Sequence, residues 1–411
     1  MGAGQSYETV ADFRKAVNPE GLRFYRVKQE VTITINFQPV AFHTNEIYLM
    51  APRSSREMPW QFFEEVPGDE TLLNRPYRGE DLTGKRVLVM RSGGIGDLLF
   101  IQPSLRYLKK RYPTCRFWFA TAISNLPLVS GWDCVSEAIP LPLPLKKLQE
   151  CDYFMNFYGL IEFCRDAERQ NAYFLFAEFW GLTGLGPEYL RPVLEARKPR
   201  VKTVQKTLAA LHLERGFVYL QVRTSAINRT PQLSIFFVLM EKLLRLGIPV
   251  AICDQACDSA KMDVIIAAFW LIQRNKKSPL TEHPERLVNL SSISRDLQDM
   301  IAIISQSRFV IAPDSSSLHI AGGLGIPFYG IFTSFPAELR VATYPEAHYS
   351  QPQFDDAICK YGGRHCFLHS DAVCPALVDD RPDCFLKQIN VEEIVEVVRK
   401  YFPEAPRSAI S

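Results

Sequence analysis

The feature that most constrains this chain lies between residues 86 and 121. Arg86-Val87-Leu88-Val89-Met90 reads as a short buried strand, and Ser92-Gly93-Gly94-Ile95-Gly96-Asp97 follows it directly. A helical pattern then runs from Leu98 to Tyr112, and Arg116-Phe117-Trp118-Phe119-Ala120 reads as a second apolar strand. Strand, glycine loop, helix and strand make a βαβ unit, whose crossover places the two strands parallel. Pro103 fits that helix only in its first turn or at a kink.

The alternation restarts further along. Phe217 to Val222 reads as a strand, Pro231 to Leu246 as an amphipathic helix stopped by Gly247, and Ile248 to Cys253 as a strand. Leu297 to Gln306 follows as a helix and Phe309 to Ala312 as a strand. Asp314 to Ser317 then forms a turn, with a helix from Leu318 to Leu324 ending at Gly325 and a strand from Phe328 to Phe332. Val391 to Tyr401 is a closing amphipathic helix. Two α/β units imply two nucleotide-fold-like domains facing across a cleft. The polar, basic, proline-containing segment Arg191 to Lys206 suits a linker between them.

Residues 1 to 84 have a different texture. Val31 to Phe37 alternates β-branched and polar residues as a half-buried strand does, with Ala41 to Met50 as its expected hairpin partner. A polar stretch from Pro52 to Lys85 follows. The expected organisation is an extension over 1–84, a first Rossmann-like domain over 85–200, and a second over 201–411.

Composition narrows the function classes. The chain has 411 residues, 47% hydrophobic and 22% charged, the balance of a globular protein with a large core. Lys and Arg exceed Asp and Glu by 47 − 45 = 2, so no global field recruits a polyanion. The longest apolar run, Val264 to Ile272, falls well short of the roughly 20 residues that span a bilayer. No apolar segment of a secretory signal follows the amino terminus. The expectation is a cytoplasmic protein without a transmembrane segment.

Two segments carry chemistry. At Gly93-Gly94-Ile95-Gly96-Asp97, glycines between strand and helix let a ligand approach the helix amino end, where N–H groups favour anions. A Walker A loop needs Gly-Lys-Ser/Thr, but Gly96 is followed by Asp97-Leu98. A dinucleotide fingerprint from Gly94 would need Gly or Ala where Leu99 stands, and an acidic residue that the strand ending at Thr121 lacks. Asp97 is therefore open to two readings, a general base or an amino-cap residue. At Asp314-Ser315-Ser316-Ser317-Leu318-His319, small residues at a strand-to-helix turn offer hydroxyls and N–H groups to a diphosphate. The plainer reading there is a serine cap beside a packed histidine.

Arg86 to Pro113 and Leu297 to Phe332 together resemble the two signature regions of glycosyltransferase family 9, which includes the ADP-heptose:lipopolysaccharide heptosyltransferases. The first signature has a strand, a small-residue loop ending in Gly-Asp (Gly96-Asp97) and a helix containing proline (Pro103). The second reads Asp-Ser/Thr-Gly-x-x-His, matched by Asp314, Ser315 and His319, and is followed by Gly325-Ile326-Pro327. The resemblance covers about residues 86 to 400. It implies a GT-B fold and metal-independent, inverting transfer from a nucleotide-activated sugar, with Asp97 as the base that activates the acceptor. It implies donor contacts at Asp314, Ser315, Ser316 and His319, and at Arg223 and Thr224 in the loop after the Phe217 strand; Gly94 and Gly96 join them on the glycine-loop reading above. It also implies that Arg229 neutralises phosphate and that Asp258, with Asp254 as a rival, holds the ribose. The sequence departs from the family at Ser316, which stands where the family has Gly, and in lacking His-Pro-Gly after the Phe217 strand.

Ten cysteines in such a chain do not read as a disulfide framework. Four gather at Cys359, Cys366, Cys374 and Cys384, near His365 and His369, where a structural zinc is one reading and reduced thiols the other. Their spacing lacks the paired knuckles of common zinc sites, so no metal ligand is assigned. The leading function is a glycosyltransferase with a nucleotide-diphosphate sugar as donor and a lipopolysaccharide or other glycan as acceptor. A hydroxylated base in nucleic acid is the alternative acceptor, since the extension could hold a polymer and Leu108 to Tyr112 is locally basic. A non-catalytic nucleotide-sugar-binding protein is the other class, against which Asp97 and His319 both stand.

Overall fold

The computed structural model describes residues 6–15, 21–35, 38–50, 58–225, 229–333, 335–351 and 389–404. The cysteine cluster from Cys359 to Cys384, with His365 and His369, lies outside the described residues. The chain divides into two compact units, Met1–Pro192 and Val193–Ser411.

In the first unit, strands β1 (Arg23–Val27), β2 (Val31–Ile35), β3 (Gln38–Phe42), β4 (Ile47–Met50) and β5 (Phe63–Val66) precede the βαβ segment. That segment supplies β6 (Arg86–Met90), the Ile95–Arg111 helix and β7 (Arg116–Thr121). Strands β8 (Glu137–Pro140), β9 (Leu143–Pro144) and β10 (Tyr153–Asn156) follow. Strands β10-β6-β7-β8 form a parallel sheet in that order.

The hairpin partner of β2 differs from expectation. It is β3, in a register that runs from Val31↔Phe42 to Ile35↔Gln38. Ile47–Met50, expected to lie in that hairpin, pairs instead with β1, and β4 also takes up β9. The reason is burial. Tyr48, Leu49 and Met50 are all enclosed, and only a place inside the β5-β1-β4-β9 sheet covers both their faces.

Leu22, Phe24, Leu49 and Leu73 share one core with Leu88, Met90, Trp118, Ile139 and Phe154. The amino-terminal sheet therefore covers one face of the parallel sheet. On the hairpin side, Tyr25, Phe42, Tyr48 and Phe63 form a second, aromatic core. The Ala172–Phe179 helix packs against the Ile95–Arg111 helix, with Phe157 between Phe176, Phe179 and Trp180.

The second unit opens with a helix, Lys198–Ala210, where a linker was expected. Pro199 sits in its first turn, where a missing N–H costs nothing, and Val204 and Leu208 bury one stripe. Strands β11 (Val218–Leu220), β12 (Val250–Ile252), β13 (Leu287–Asn289), β14 (Phe309–Pro313), β15 (Phe328–Ile331) and β16 (Ala347–Ser350) form one parallel sheet. Their order is β13-β12-β11-β14-β15-β16, the 3-2-1-4-5-6 arrangement of a doubly wound nucleotide-binding fold. The Leu233–Arg245 helix packs against the closing Val391–Arg399 helix over a core that includes Leu239, Leu243, Ile394 and Val398. The Val264–Ile272 run lies within the Ser259–Asn275 helix, and no helix of the described residues is long and apolar enough to cross a membrane.

Phe157 is fully buried and stacks on Phe176 at 5.6 Å between ring centroids, with Phe179 edge-on at 4.6 Å. Phe157→Ala should destabilise the first unit by about 3–5 kcal/mol, read as a lower urea midpoint in equilibrium unfolding.

Candidate functional site

In each parallel sheet the strand order reverses once. Two neighbouring strands there send their connections to opposite faces, which opens a crevice at their carboxyl ends, the usual place for a ligand in open α/β sheets. The reversal falls between β6 and β10 in the first unit and between β11 and β14 in the second. Every residue expected to act sits in or near one of these two places.

At the first reversal, β6 ends and Arg91 follows with a side chain that is 0% exposed. Its guanidinium donates to Phe157 O at 3.0 Å, to Glu162 Oε1 at 2.8 Å and Oε2 at 3.2 Å, and in a short contact to Asp97 Oδ2. Burial works against the charge on Arg91, but Glu162 and Asp97 outweigh it and hold its pKa above the ordinary arginine value. One cation thus faces two carboxylates, and the cluster carries a net charge of −1.

Gly93 makes room for this arrangement, because a Cβ there would lie 2.8 Å from the Arg91 guanidinium. Asn125 Nδ2 donates to Gly93 O at 3.3 Å and holds the loop from the other side. The helix begins three residues earlier than its apolar pattern implies, at Ile95, and its cap is Gly94. Asp97 is therefore not the cap residue. It lies in the first turn, partly exposed, with Gly96 beside it. Pro103 sits in the helix interior.

At the second reversal, Gln221 follows β11 and ties the two strand ends together. Its Oε1 accepts from Ser315 Oγ at 2.9 Å and from Ser317 Oγ, while its Nε2 donates to Arg223 O at 2.8 Å. Ser315 is the cap residue of the Ser316–Leu324 helix by backbone conformation, but its hydroxyl turns to Gln221 and makes no side-chain cap bond. Ser316 occupies the first helical position.

Arg223 Nη1 lies 3.6 Å from Asp254 Oδ2 and 3.4 Å from Asp258 Oδ1. Burial raises the pKa of Asp254, whereas a hydrogen bond from Lys261, supported by Arg223, lowers that of Asp258. Arg229 Nη1 donates to Asp314 O at 3.4 Å and stands 3.8 Å from Asp314 Oδ2. Thr224 N donates to Thr230 Oγ1 at 3.1 Å, which closes the loop at its base. Arg223, Thr224, Arg229, Asp258, Asp314, Ser315 and Ser316 thus gather at the carboxyl ends of β11, β12 and β14.

His319 is placed differently from the others. It is 3% exposed, and its Nδ1 lies 3.1 Å from Tyr344 Oη. Tyr344 reaches it across Gly322, where a Cβ would lie 2.3 Å from the tyrosine ring. Burial, with the nearby positive charge of Arg340, pushes the histidine pKa down to about 3, so the ring is neutral at physiological pH.

Three residues at these sites escaped the sequence reading: Arg91, Glu162 and Gln221. Arg91 carried a usable signal, a charged residue directly after four buried apolar ones. Glu162 and Gln221 carried none, because their roles depend on strands that are neighbours only in space. Among the described residues no group of three or more His, Cys, Asp or Glu side chains could hold a metal ion.

The fold is that of solved glycosyltransferase structures. A glycosyl transferase family 9 protein from Veillonella parvula superposes with a TM-score of 0.57 at 12% identity, over 80% of this chain and 100% of that one. The Escherichia coli ADP-heptose lipopolysaccharide heptosyltransferase II gives 0.50 at 17% identity, over 78% and 100%. TibC of enterotoxigenic E. coli, a dodecameric iron-containing heptosyltransferase solved with ADP-D-β-D-heptose, gives 0.50 at 12% identity, over 93% and 92%. No protein-family model matches the chain, and no curated protein matches it in sequence.

The neutral, buried His319 sets a pH dependence. Its folded pKa lies below the ordinary value of about 6.5, so the unfolded chain takes up a proton that the folded chain refuses. Its contribution to stability is complete above pH ~6.5 and is lost progressively as pH falls from there towards 3. Thermal unfolding of wild type and His319→Gln across pH 7 to 4 should show a steeper acid decline in the wild type.

Proposed function

We propose that this protein is a glycosyltransferase of family 9 type, transferring a sugar from a nucleoside-diphosphate sugar to an acceptor hydroxyl with inversion. The carrying observation is that each unit holds a ligand-type crevice, and that the two are oppositely equipped. The first presents a partly exposed carboxylate in a net-negative cluster. The second presents arginines, serine hydroxyls and a helix start without a side-chain cap. The shared fold with a family 9 structure supports the reading.

In this mechanism Asp97 takes the proton of the acceptor hydroxyl. The acceptor oxygen then forms a bond to the anomeric carbon as the bond from that carbon to the diphosphate oxygen breaks. The diphosphate leaves with the bonding electron pair. A single displacement from the opposite face inverts the anomeric centre. Arg91 fixes the orientation of Asp97, and Glu162 binds the same guanidinium from the other side.

At the donor end, Arg229 and Arg223 exchange their long carboxylate contacts for phosphate oxygens, and the amides at the start of the Ser316–Leu324 helix meet the same charge. Asp258, whose pKa is lowered by the Lys261 hydrogen bond while burial raises that of Asp254, holds the ribose hydroxyls. His319 stiffens the helix behind the diphosphate through Tyr344.

A glycan is favoured over a nucleic-acid acceptor because the basic run has structural work. Lys109 Nζ donates to Pro113 O and Cys115 O at 2.8 Å each, which fastens the carboxyl end of its helix. Arg111 lies over the Tyr112 ring.

Two measurements test the proposal. General-base catalysis contributes roughly 10²–10⁴-fold, so Asp97→Asn should lower kcat by about that factor while nucleotide affinity stays within about threefold. Turnover close to wild type in the folded variant removes Asp97 as the base. Arg229→Ala should raise the Kd for ADP or ADP-heptose, followed by thermal shift or calorimetry, about tenfold or more. A charge-assisted hydrogen bond contributes roughly 1.5–3 kcal/mol.

A further inference from the structure

The Ser259–Asn275 helix buries one side and leaves an apolar stripe on the other. Met262, Phe269, Trp270 and Gln273 face the core. Val264 is 68% exposed and Leu271 58%, and Ala267, Ala268 and Ile272 lie between or beside them. The spacing 264, 267, 268, 271 repeats at i, i+3, i+4 and i+7, which is how a helix prepares a face for another helix. Val238, 46% exposed, lies on the neighbouring Leu233–Arg245 helix, which packs Phe237 against Phe269. Scattered exposed apolar residues need no explanation, but a continuous stripe on one helix does.

The stripe is complementary to itself when reversed. Its midpoint is Ala267 and Ala268, whose small side chains let two helices approach closely. Val264 and Leu271 lie at equal distances on either side of that midpoint. Asp263 and Arg274 share one flank, 11 residues apart in sequence, or about 16 Å along the axis, with a midpoint one residue past that centre, an offset of about 3 Å between partners that a long arginine side chain spans. Asp263 Oδ1 accepts a hydrogen bond from Asn289 Nδ2 at 2.8 Å, which holds the carboxylate on the surface. Arg274 makes no ion pair among the described residues.

We propose that two copies of this chain associate through this helix, antiparallel about a two-fold axis at Ala267 and Ala268. Val264 of each copy then packs against Leu271 of the other, and Asp263 of each pairs with Arg274 of the other. An isologous contact of this kind satisfies both ends at once and closes at two copies. The opposed helix dipoles favour the antiparallel arrangement as well. A lone helix pair is smaller than the roughly 800 Å² per partner of a standard interface, so the dimer is a reversible one.

Sedimentation velocity on the full chain tests the proposal. A monomer–dimer equilibrium is expected, half-formed at protein concentrations on the order of 10 µM, the range of weak interfaces. Leu271→Glu and Ala267→Glu, both at exposed positions, should abolish the dimer and leave the thermal midpoint unchanged. Asp263→Arg and Arg274→Asp should each weaken it about tenfold or more, and the double exchange should restore it, because only an antiparallel pairing reunites the swapped charges. A chain that stays monomeric up to about 200 µM overturns the proposal. So does a dimer indifferent to the two glutamate substitutions, a double exchange that fails to rescue, or attachment of the monomer to lipid vesicles through this stripe.

Discussion

A buried guanidinium organises the first half of this protein. Arg91 follows the last buried residue of a central strand, at the point where the sheet reverses its strand order. Leaving that charge unpaired in the interior would cost several kcal/mol, so the surrounding chain must supply acceptors. It does so from three directions: the Phe157 carbonyl beyond β10, Glu162 after the next turn, and Asp97 on the helix that leaves β6. Gly93 has no side chain because the guanidinium occupies that space. The position of Asp97, the one partly exposed acid on that helix's first turn, follows from the need to neutralise Arg91.

The second half meets the same topological problem with a neutral group. Gln221 spans the gap between β11 and β14 with both ends of its amide, accepting from two serines and donating to a backbone carbonyl. Ser315 spends its hydroxyl on Gln221, so the following helix begins without a side-chain cap. A net-negative cluster in one unit and an uncapped helix start beside two arginines in the other are chemically unlike. That difference follows from the residue after the first strand of each sheet, Arg91 in one and Gln221 in the other.

The apolar periodicities of the βαβ segment and of the second unit translated directly into strands and helices. Both glycine stops after helices were legible for the same reason, since local backbone preference decided them. The errors came where burial overrode local pattern. Ile47–Met50 left the expected hairpin because three consecutive enclosed residues need cover on both faces. Arg191 to Lys206 read as a linker because it is polar, but most of it is helical, with Val204 and Leu208 four residues apart supplying the buried stripe. His319, given to the donor by the family resemblance, has its ring against Tyr344, 25 residues later in the chain, which agrees with the plainer reading of its spacing as a packed histidine.

Sequence alone determined the α/β class, the parallel pairing of β6 with β7, and the two loops at which charged and small residues collect. Those properties depend on hydrophobic period and turn chemistry, which act over a few residues. Tertiary structure decided that Asp97 is held by a buried arginine, that Glu162 shares it, and that Gln221 joins two strand ends. It also decided that the amino-terminal sheet completes the core of the first parallel sheet. Each of these joins residues dozens of positions apart, through strand order and burial, and no local pattern in the chain records which strands will be neighbours.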